Sequence, residues 1–219
     1  MKTINSLKIM IGVIAMISTL QQANAQGIGF GIKGGYNNSN IQIDGEVDTD
    51  FKSGYHFGLF ISKPITEKFI ISPSVLYTSK GGNFKESDVY ELESGTEISS
   101  EFRTNINLSY VEVPIELKYM LTQKFSLSAI PYISFLVNDK MEMYYGECVD
   151  GSCTAVKEEL DEEFVEFNST DYGVGFGMGY DINSHLILSA QYQLGLASLI
   201  KDDVDAFNRM FSISLGFKF

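Results

Sequence analysis

This 219-residue sequence is poor in basic residues and in cysteine, and each shortage excludes a class of function. It has 16 Lys and Arg against 28 Asp and Glu, which gives a formal net charge of −12. Nucleic-acid binding is therefore not expected, because it needs clusters of Lys and Arg to displace the counterions of the phosphates. The two cysteines are too few for a tetrahedral zinc site. We expect neither a metal nor a cofactor.

Long hydrophobic runs are also missing, except near the amino terminus. Residues 9–17 form a mostly apolar run that follows two lysines and precedes a small-residue site ending at Ala25. The run is shorter than the roughly 18 residues that a membrane-spanning helix needs, and the order of its parts is that of a cleaved secretory signal. We therefore expect a signal peptide at residues 1–25 and one mature domain at residues 26–219.

What the sequence does have is alternation of apolar and polar residues, the period of a β-strand with one apolar face. The last nine residues show it well, with apolar side chains at Phe211, Ile213, Leu215, Phe217 and Phe219. We predict eight strands on this pattern: residues 27–36, 53–62, 69–80, 110–119, 125–137, 171–180, 185–195 and 211–219.

The lengths of the connections predict how these strands are joined. Three connections are short (63–68, 120–124 and 181–184), and they alternate with four long ones (37–52, 81–107, 138–168 and 196–208). This alternation is typical of outer-membrane barrels, which have tight periplasmic turns and large extracellular loops. A soluble lipocalin also has eight strands, but the second face here carries Gly, Ser, Gln, Glu and Lys, which is too polar for its ligand cavity. The sequence therefore predicts an all-β fold, an eight-stranded antiparallel up-and-down transmembrane β-barrel in the bacterial outer membrane.

The interior of such a barrel is only wide enough for side chains to fill it, so we expect no sustained water channel. Glycines in the first and sixth predicted strands leave space that Phe60, Tyr110 and Tyr132 could occupy. Charged residues in the inward phase then need ionic partners inside the barrel; they are Lys33, Glu112, Glu116, Lys118 and Lys218.

Proline interrupts three of the predicted strands, at Pro73, Pro114 and Pro131. Proline has no backbone N–H to donate, so it normally lies at sheet edges or bulges. We expect local bulges or kinks at these three positions.

Acidic residues are concentrated in the four long connections, which hold 23 acidic and six basic residues. Such a surface favours contact with cations or basic partners. The spaced acids of residues 44–50 lack the order of an EF-hand loop, and the run 158–163 is typical of a solvated charge block. Cys148 and Cys153 flank a turn-forming Asp-Gly pair, and an exported protein can be oxidised. We predict a local disulfide between them.

Catalysis is not expected, because it needs a base beside a nucleophile and the sequence has only two histidines. His185 adjoins a predicted periplasmic turn. His56 points inward near the extracellular end, and Ser53, the nearest serine, lies on the opposite strand face. We expect no enzyme, with a lipid-modifying barrel centred on His56 as the alternative.

Several stretches resemble PorT-like bacterial outer-membrane β-barrels, which are often labelled porin-family proteins. The matching residues are 71–77 with 80–82, 110–119, 171–175, 192–196 and 214–219. The resemblance implies an outer-membrane barrel whose carboxy-terminal aromatics, Phe217 and Phe219, are read by the barrel assembly machinery. We expect as partners outer-membrane lipids, that machinery and an unknown extracellular or secretion partner. The resemblance also leaves open an accessory barrel for protein export.

Overall fold

The computed structural model describes residues 27–43, 49–91, 97–149, 152–160, 166–201 and 205–219. These contain nine strands: β1 (Gly29–Ile43), β2 (Lys52–Pro64), β3 (Phe69–Glu91), β4 (Glu97–Met120), β5 (Phe125–Val149), β6 (Ser152–Leu160), β7 (Thr170–Asp181), β8 (Leu186–Gly195) and β9 (Ala206–Lys218). No helix in these ranges is both long enough and apolar enough to cross a membrane.

Eight of the strands form a closed antiparallel ring. Each pairs with the next in the order β1, β2, β3, β4, β5, β7, β8 and β9, and β9 pairs back to β1. β6 lies outside this ring and pairs with β5. The predicted eight-stranded up-and-down barrel is confirmed, with one additional strand beside it.

The two faces of the barrel wall have opposite character, as the alternation predicts. On β4, Ile115 and Leu117 point outward and are exposed. Glu116, which lies between them, and Glu112, earlier on the strand, are buried inside the barrel. The same alternation follows β7 and β9, where large apolar side chains such as Phe176 and Leu215 are exposed. An apolar exterior around a polar interior is the arrangement of a barrel surrounded by lipid.

The two ends of the barrel differ in construction. At one end, here called the turn end, three tight turns join β2 to β3, β4 to β5 and β7 to β8. At the other, the sheet end, β3, β4 and β5 continue past the ring and combine with β6 into a four-stranded extension, the β3–β6 sheet.

The extension corrects the prediction that residues 81–107 and 138–168 are long loops, since most of both segments is strand. In the barrel wall the apolar residues have the outward phase. In the β3–β6 sheet that phase holds charged residues such as Lys85 and Arg103, while Phe84, Phe102 and Ile106 take the phase that faces the lumen below. The alternation of apolar and polar residues continues in the β3–β6 sheet, but the apolar residues now lie on the inward face. A search for strands with an apolar outward face therefore misses this sheet.

Of the bulges or kinks predicted at the three prolines, the bulges are wrong, but the ladder is interrupted at each of these positions. Pro73, Pro114 and Pro131 each pair with one neighbouring strand, while pairing with the other neighbour is interrupted beside them without a change of register. Loss of the N–H donor explains an interruption on one side only. The register shift in the β4–β5 ladder lies elsewhere, between Ser109 and Tyr110.

Candidate functional site in the barrel interior

A cluster of charged side chains surrounds Lys80 inside the barrel. Its Nζ lies 2.7 Å from Oε2 of Glu112 and 3.5 Å from Oδ2 of Asp171. The ammonium also lies over two aromatic rings, 4.4 Å from the centroid of Tyr132 and 5.5 Å from that of Tyr110. These residues are fully or almost fully buried. Two carboxylates and two π faces therefore compensate the ammonium for the loss of water.

Neutral donors complete this Lys80 cluster. Glu112 accepts hydrogen bonds from Nε2 of Gln193 at 2.9 Å and from Oγ of Ser134 at 3.1 Å. Asp171 accepts one from Nδ2 of Asn208 at 3.0 Å. The charged residues come from β3, β4 and β7, and the neutral donors from β5, β8 and β9. One polar cluster thus connects six of the eight strands of the ring.

A second cluster forms around Glu116, nearer the turn end. Its carboxylate forms an ion pair with Lys33 of β1, and lies 2.9 Å from Nζ of Lys118. Nε2 of Gln191 on β8 donates to it at 3.3 Å. The expected ionic partners of Lys33, Glu112, Glu116 and Lys118 are therefore found inside the barrel.

His56 lies in a hydrogen-bonded row with Asn37 and Ser214. Its Nδ1 lies 2.6 Å from Oδ1 of Asn37, which can only accept, so Nε2 is free to accept from Oγ of Ser214 at 2.6 Å. The arrangement has the order of a nucleophile, a base and an orienting group. All three residues are buried at 4% exposure or less, so a substrate carbonyl has no open approach to the hydroxyl.

The serine beside His56 is a correction to the sequence interpretation. Ser53, expected to be its nearest serine, instead shares a hydrogen bond of 2.7 Å with the hydroxyl of Tyr36 on the outer face. Ser214 is 158 positions away in sequence, and only closure of the ring brings β9 beside β1.

Large side chains fill the space between these polar groups. A Cβ on Gly31 would lie 2.6 Å from Cζ of Phe60, and one on Gly173 would lie 2.7 Å from the hydroxyl of Tyr132. The prediction that Phe60 and Tyr132 occupy space left by glycines is confirmed. Tyr110, also predicted to lie inside, has no exposed surface.

An apolar cluster closes the sheet end above the polar groups. Its buried members are Ile41, Leu108, Tyr110, Leu199 and Ala206. Partly buried side chains from β1, β4, β5 and the 166–201 segment pack against it, among them Ile43, Ile106, Leu136, Phe167 and Ile200. Among the described residues, side chains from both the wall and the sheet end therefore occupy the lumen.

Outside the barrel, the β3–β6 sheet carries ion pairs on its outward face. Glu101 lies 2.8 Å from Nζ of Lys85 and 2.6 Å from Nη2 of Arg103. Glu142 lies 2.9 Å from Nζ of Lys140 and 3.0 Å from Nζ of Lys157. Hydrogen bonds from these two lysines lower the pKa of Glu142 to about 2.

The predicted site residues have different outcomes. The register of the β5–β6 hairpin places Cys148 opposite Cys153, and their disulfide remains a prediction. Phe219 lies at the turn end, where its ring centroid is 5.3 Å from that of Phe30 and 5.4 Å from that of Phe217. An assembly role for Phe217 and Phe219 likewise remains a prediction.

The two acidic segments singled out in the sequence, residues 44–50 and 158–163, lie partly outside the described part of the chain. Residues 44–48 and 161–165 lie outside the described residues. Within the described ranges, no group of three or more His, Cys, Asp or Glu side chains could hold a metal ion.

Sequence reasoning missed three members of the interior. One predicted strand ends at Lys80 and another begins at Asp171, but the expected interior charges include neither residue, and nothing in the sequence pattern connects Ser214 with His56. The inward phase of each strand was the available signal. Partners across the lumen could not be assigned from it, because they depend on how the strands tilt and stagger around the ring.

Comparison with known proteins agrees with this architecture. A family model described as outer membrane protein beta-barrel domain matches residues 21–201. No curated protein sequence matches the chain.

Three of the solved structures similar to this chain are the following bacterial proteins. The attachment invasion locus protein Ail of Yersinia pestis is 13% identical with a TM-score of 0.43, covering 87% of this chain and 98% of its own. Neisserial surface protein A is 13% identical with a TM-score of 0.44, covering 88% and 99%. OprG of Pseudomonas aeruginosa is 14% identical with a TM-score of 0.35, covering 87% and 95%.

Proposed function

The chain belongs to the family of outer membrane protein β-barrel domains, and from that premise we propose an integral outer-membrane protein without catalytic activity. Its β3–β6 sheet and acidic connections serve contacts outside the cell or the integrity of the envelope. In this proposal the sheet end is extracellular, the turn end is periplasmic, and residues 1–25 are the signal for export.

The filled interior carries this proposal. The Lys80 cluster connects six strands, and the apolar cluster closes the lumen above it. The charged groups of the Lys80 cluster pair with one another, and large side chains fill the space beside them. The interior therefore stabilises the barrel and offers no path to a solute. The parts of the molecule left for contact with a partner are the β3–β6 sheet and its neighbouring connections.

The sheet is built to stand clear of the barrel. The β3–β4 ladder continues from Asn83 paired with Asn105 to Glu91 paired with Glu97, well beyond the apolar cluster. Val156 and Tyr145, which pair across β5 and β6, are about half exposed or more. Both share the face of Phe102, which is opposite to the charged face of the sheet. Exposed apolar side chains of this kind are a common feature of protein interaction sites.

The test separates the barrel from its extension. Residues 84–104 are replaced by an Asn-Gly turn that joins the paired residues Asn83 and Asn105. The variant is expected to fractionate with outer membranes and to keep heat-modifiable gel migration, while cells lose surface adhesion or resistance to detergent. Wild-type adhesion and detergent resistance in a correctly inserted variant would overturn the proposal.

A second candidate function is a lipid-modifying enzyme, and the row formed by Ser214, His56 and Asn37 favours it. It ranks second because the hydroxyl of Ser214 is enclosed. His56→Ala and Ser214→Ala should leave the lipid composition of the outer membrane unchanged under our proposal. A matching change of lipid composition in both variants would establish the enzyme instead.

Membership in the PorT-like group, with an accessory role in protein export, is a narrower proposal that rests on the sequence resemblance. It expects secretion components to co-purify with the barrel in a mild detergent. A clean monomer under those conditions would contradict it.

A further inference from the structure

The three turns at the turn end share one sequence pattern. The turns are residues 65–69, 121–125 and 182–186, here called the anchor turns. Each has an aliphatic residue first, Thr or Asn second, Lys or His fourth, and Phe or Leu fifth. The pattern is repeated at equivalent places in the barrel, although the strands on either side of each turn differ in sequence.

The anchor turns also share their hydrogen bonds. In each, the N–H of the first residue donates to the carbonyl of the fifth, at 2.8 Å for Ile65, 2.9 Å for Leu121 and 2.9 Å for Ile182. The side-chain oxygen of the second residue accepts from the N–H groups of the fourth and fifth residues, at 2.8 to 3.3 Å. These bonds fix all three turns in the same conformation.

The first residue of each anchor turn is an exposed aliphatic side chain. Ile65, Leu121 and Ile182 are 52%, 51% and 44% exposed. Each has the outward phase of the strand before it. Leu121 follows Leu117 and Tyr119 on β4, whereas Lys63 of β2 stands between Ile61 and Ile65. Thr and Asn shape the turns, but nothing in the turn geometry requires an aliphatic residue beside them. Three exposed aliphatic side chains in equivalent positions therefore indicate that the surroundings of the turns are apolar.

The height of the apolar wall agrees with this placement. On β7 the outward residues run from Tyr172 to Ile182, which is ten residue steps. At about 3.3 Å per residue and a tilt of about 40°, ten steps span about 25 Å. That equals the height of roughly 25 Å expected for the apolar band of an outer-membrane barrel. Ile182 then lies at the boundary between acyl chains and headgroups rather than in water.

The fourth residue of each anchor turn brings a basic group to the same boundary. Lys68, Lys124 and His185 each precede a fifth residue whose large apolar side chain has the outward phase. The ring of His185 stacks on that of Phe217, with centroids 5.9 Å apart. Basic groups next to the apolar band lie at the level of the lipid phosphates. The charge of Lys68 and Lys124 is complementary to the phosphates, and an imidazole N–H of His185 can donate to them.

We propose that the anchor turns fasten the barrel into the periplasmic leaflet. The first residues lie among the outermost acyl carbons, and the fourth residues bind the phosphate groups of phospholipids. The partner is thus phospholipid rather than a periplasmic protein. The inference rests on the proposed outer-membrane residence and adds to it a defined lipid-binding ring.

The sequence contains no tryptophan, so a single introduced tryptophan reports its own depth. Leu121→Trp is compared with Leu59→Trp in the middle of the wall and Val156→Trp on the β3–β6 sheet. Each is reconstituted in phosphatidylethanolamine and phosphatidylglycerol vesicles whose acyl chains are brominated either near the headgroup or near the bilayer centre. We expect shallow bromine to quench Leu121→Trp strongly, deep bromine to quench Leu59→Trp, and neither to quench Val156→Trp.

The outcomes distinguish failure of this inference from failure of the proposed function. If Leu59→Trp is quenched and Leu121→Trp is as unquenched as Val156→Trp, the turns lie in water and the inference is overturned. If Leu59→Trp is itself unquenched, the barrel is not surrounded by lipid and the proposed function fails with it.

A second arm tests the phosphate contacts. The triple variant Lys68→Gln, Lys124→Gln and His185→Gln is compared with a control that replaces Lys85, Lys140 and Lys157 of the β3–β6 sheet by Gln. Thermal unfolding is followed as the vesicles are changed from phosphatidylcholine to increasing fractions of phosphatidylglycerol. We expect the wild type and the control to gain the same upward shift, and the anchor-turn variant to lose most of it. Equal shifts in all three proteins would refute phosphate binding by the turns.

Discussion

Replacing Lys80 should destabilise the barrel more than replacing any other interior lysine that we have described. Lys80→Met keeps most of the side-chain volume but removes the ammonium that contacts both Glu112 and Asp171. Two buried carboxylates then lose their common cation. Removal of one partner from a buried ion pair typically costs about 3–5 kcal/mol, and we expect a loss in that range.

Two further variants are expected to lose less unfolding free energy than Lys80→Met, in a defined order. Glu112→Gln should cost less, because Lys80 keeps Asp171 and the new amide can still meet Gln193 and Ser134. Lys118→Met should cost least, about 1–2 kcal/mol, since Glu116 keeps Lys33 and Gln191.

The measurement is urea unfolding of the barrel reconstituted in lipid vesicles, followed by the shift between folded and unfolded bands in an unheated gel. Insertion of each variant is checked first by the same shift in the absence of urea. If Lys80→Met unfolds at the same urea concentration as Lys118→Met, the Lys80 cluster does not hold the strands together and the reasoning is refuted.

Three other predictions concern the two ends of the molecule. If Cys148 and Cys153 form the predicted disulfide, they should react with a maleimide only after reduction, and immediate labelling without reductant would contradict the pairing. Phe219→Ala should lower the yield of inserted barrel in cells, since it removes the ring packed against Phe30, and an unchanged heat-modifiable fraction would argue against an assembly signal. The ion pairs of Glu142 should weaken as the pH falls from about 4.5 towards 2, because its lowered pKa stabilises the folded sheet only above that range. The protection of the β5 and β6 amides against exchange, measured relative to the intrinsic rate at each pH, should then fall in the wild type but not in Glu142→Gln, and equal profiles would exclude this carboxylate as the cause.

The anchor turns show that part of the missed information was present in the sequence. Leu121, Thr122, Lys124 and Phe125 have counterparts at equivalent positions of two other connections. The three segments are five residues long and only partly alike in sequence. Each is therefore predicted as an ordinary turn, and their likeness is recognised only when their hydrogen bonds are compared. The alternation of short and long connections already placed the three turns at one end of the barrel, but only the structure showed that they share one conformation.

The β3–β6 sheet shows a different limit. The sequence pattern of residues 81–107 does alternate, but Phe84 and Phe102 have the phase opposite to that of Tyr77 and Val111 in the wall. Inside a bilayer the outward face must be apolar, whereas beyond it the outward face meets water and the inner face can pack. The change of surroundings, rather than a change of strand propensity, inverted the pattern and hid the extension.

The sequence by itself determined the number of strands in the ring, the outward or inward phase of each residue in the wall, and the end at which the tight turns lie. Period-two patterning suffices for these features, because each follows from the solvent that meets one face of one strand. Only the tertiary structure decided that Lys80 meets Asp171 and that His56 meets Ser214. Those pairs come from strands that are distant in the chain, and their meeting depends on the tilt and stagger with which the ring closes.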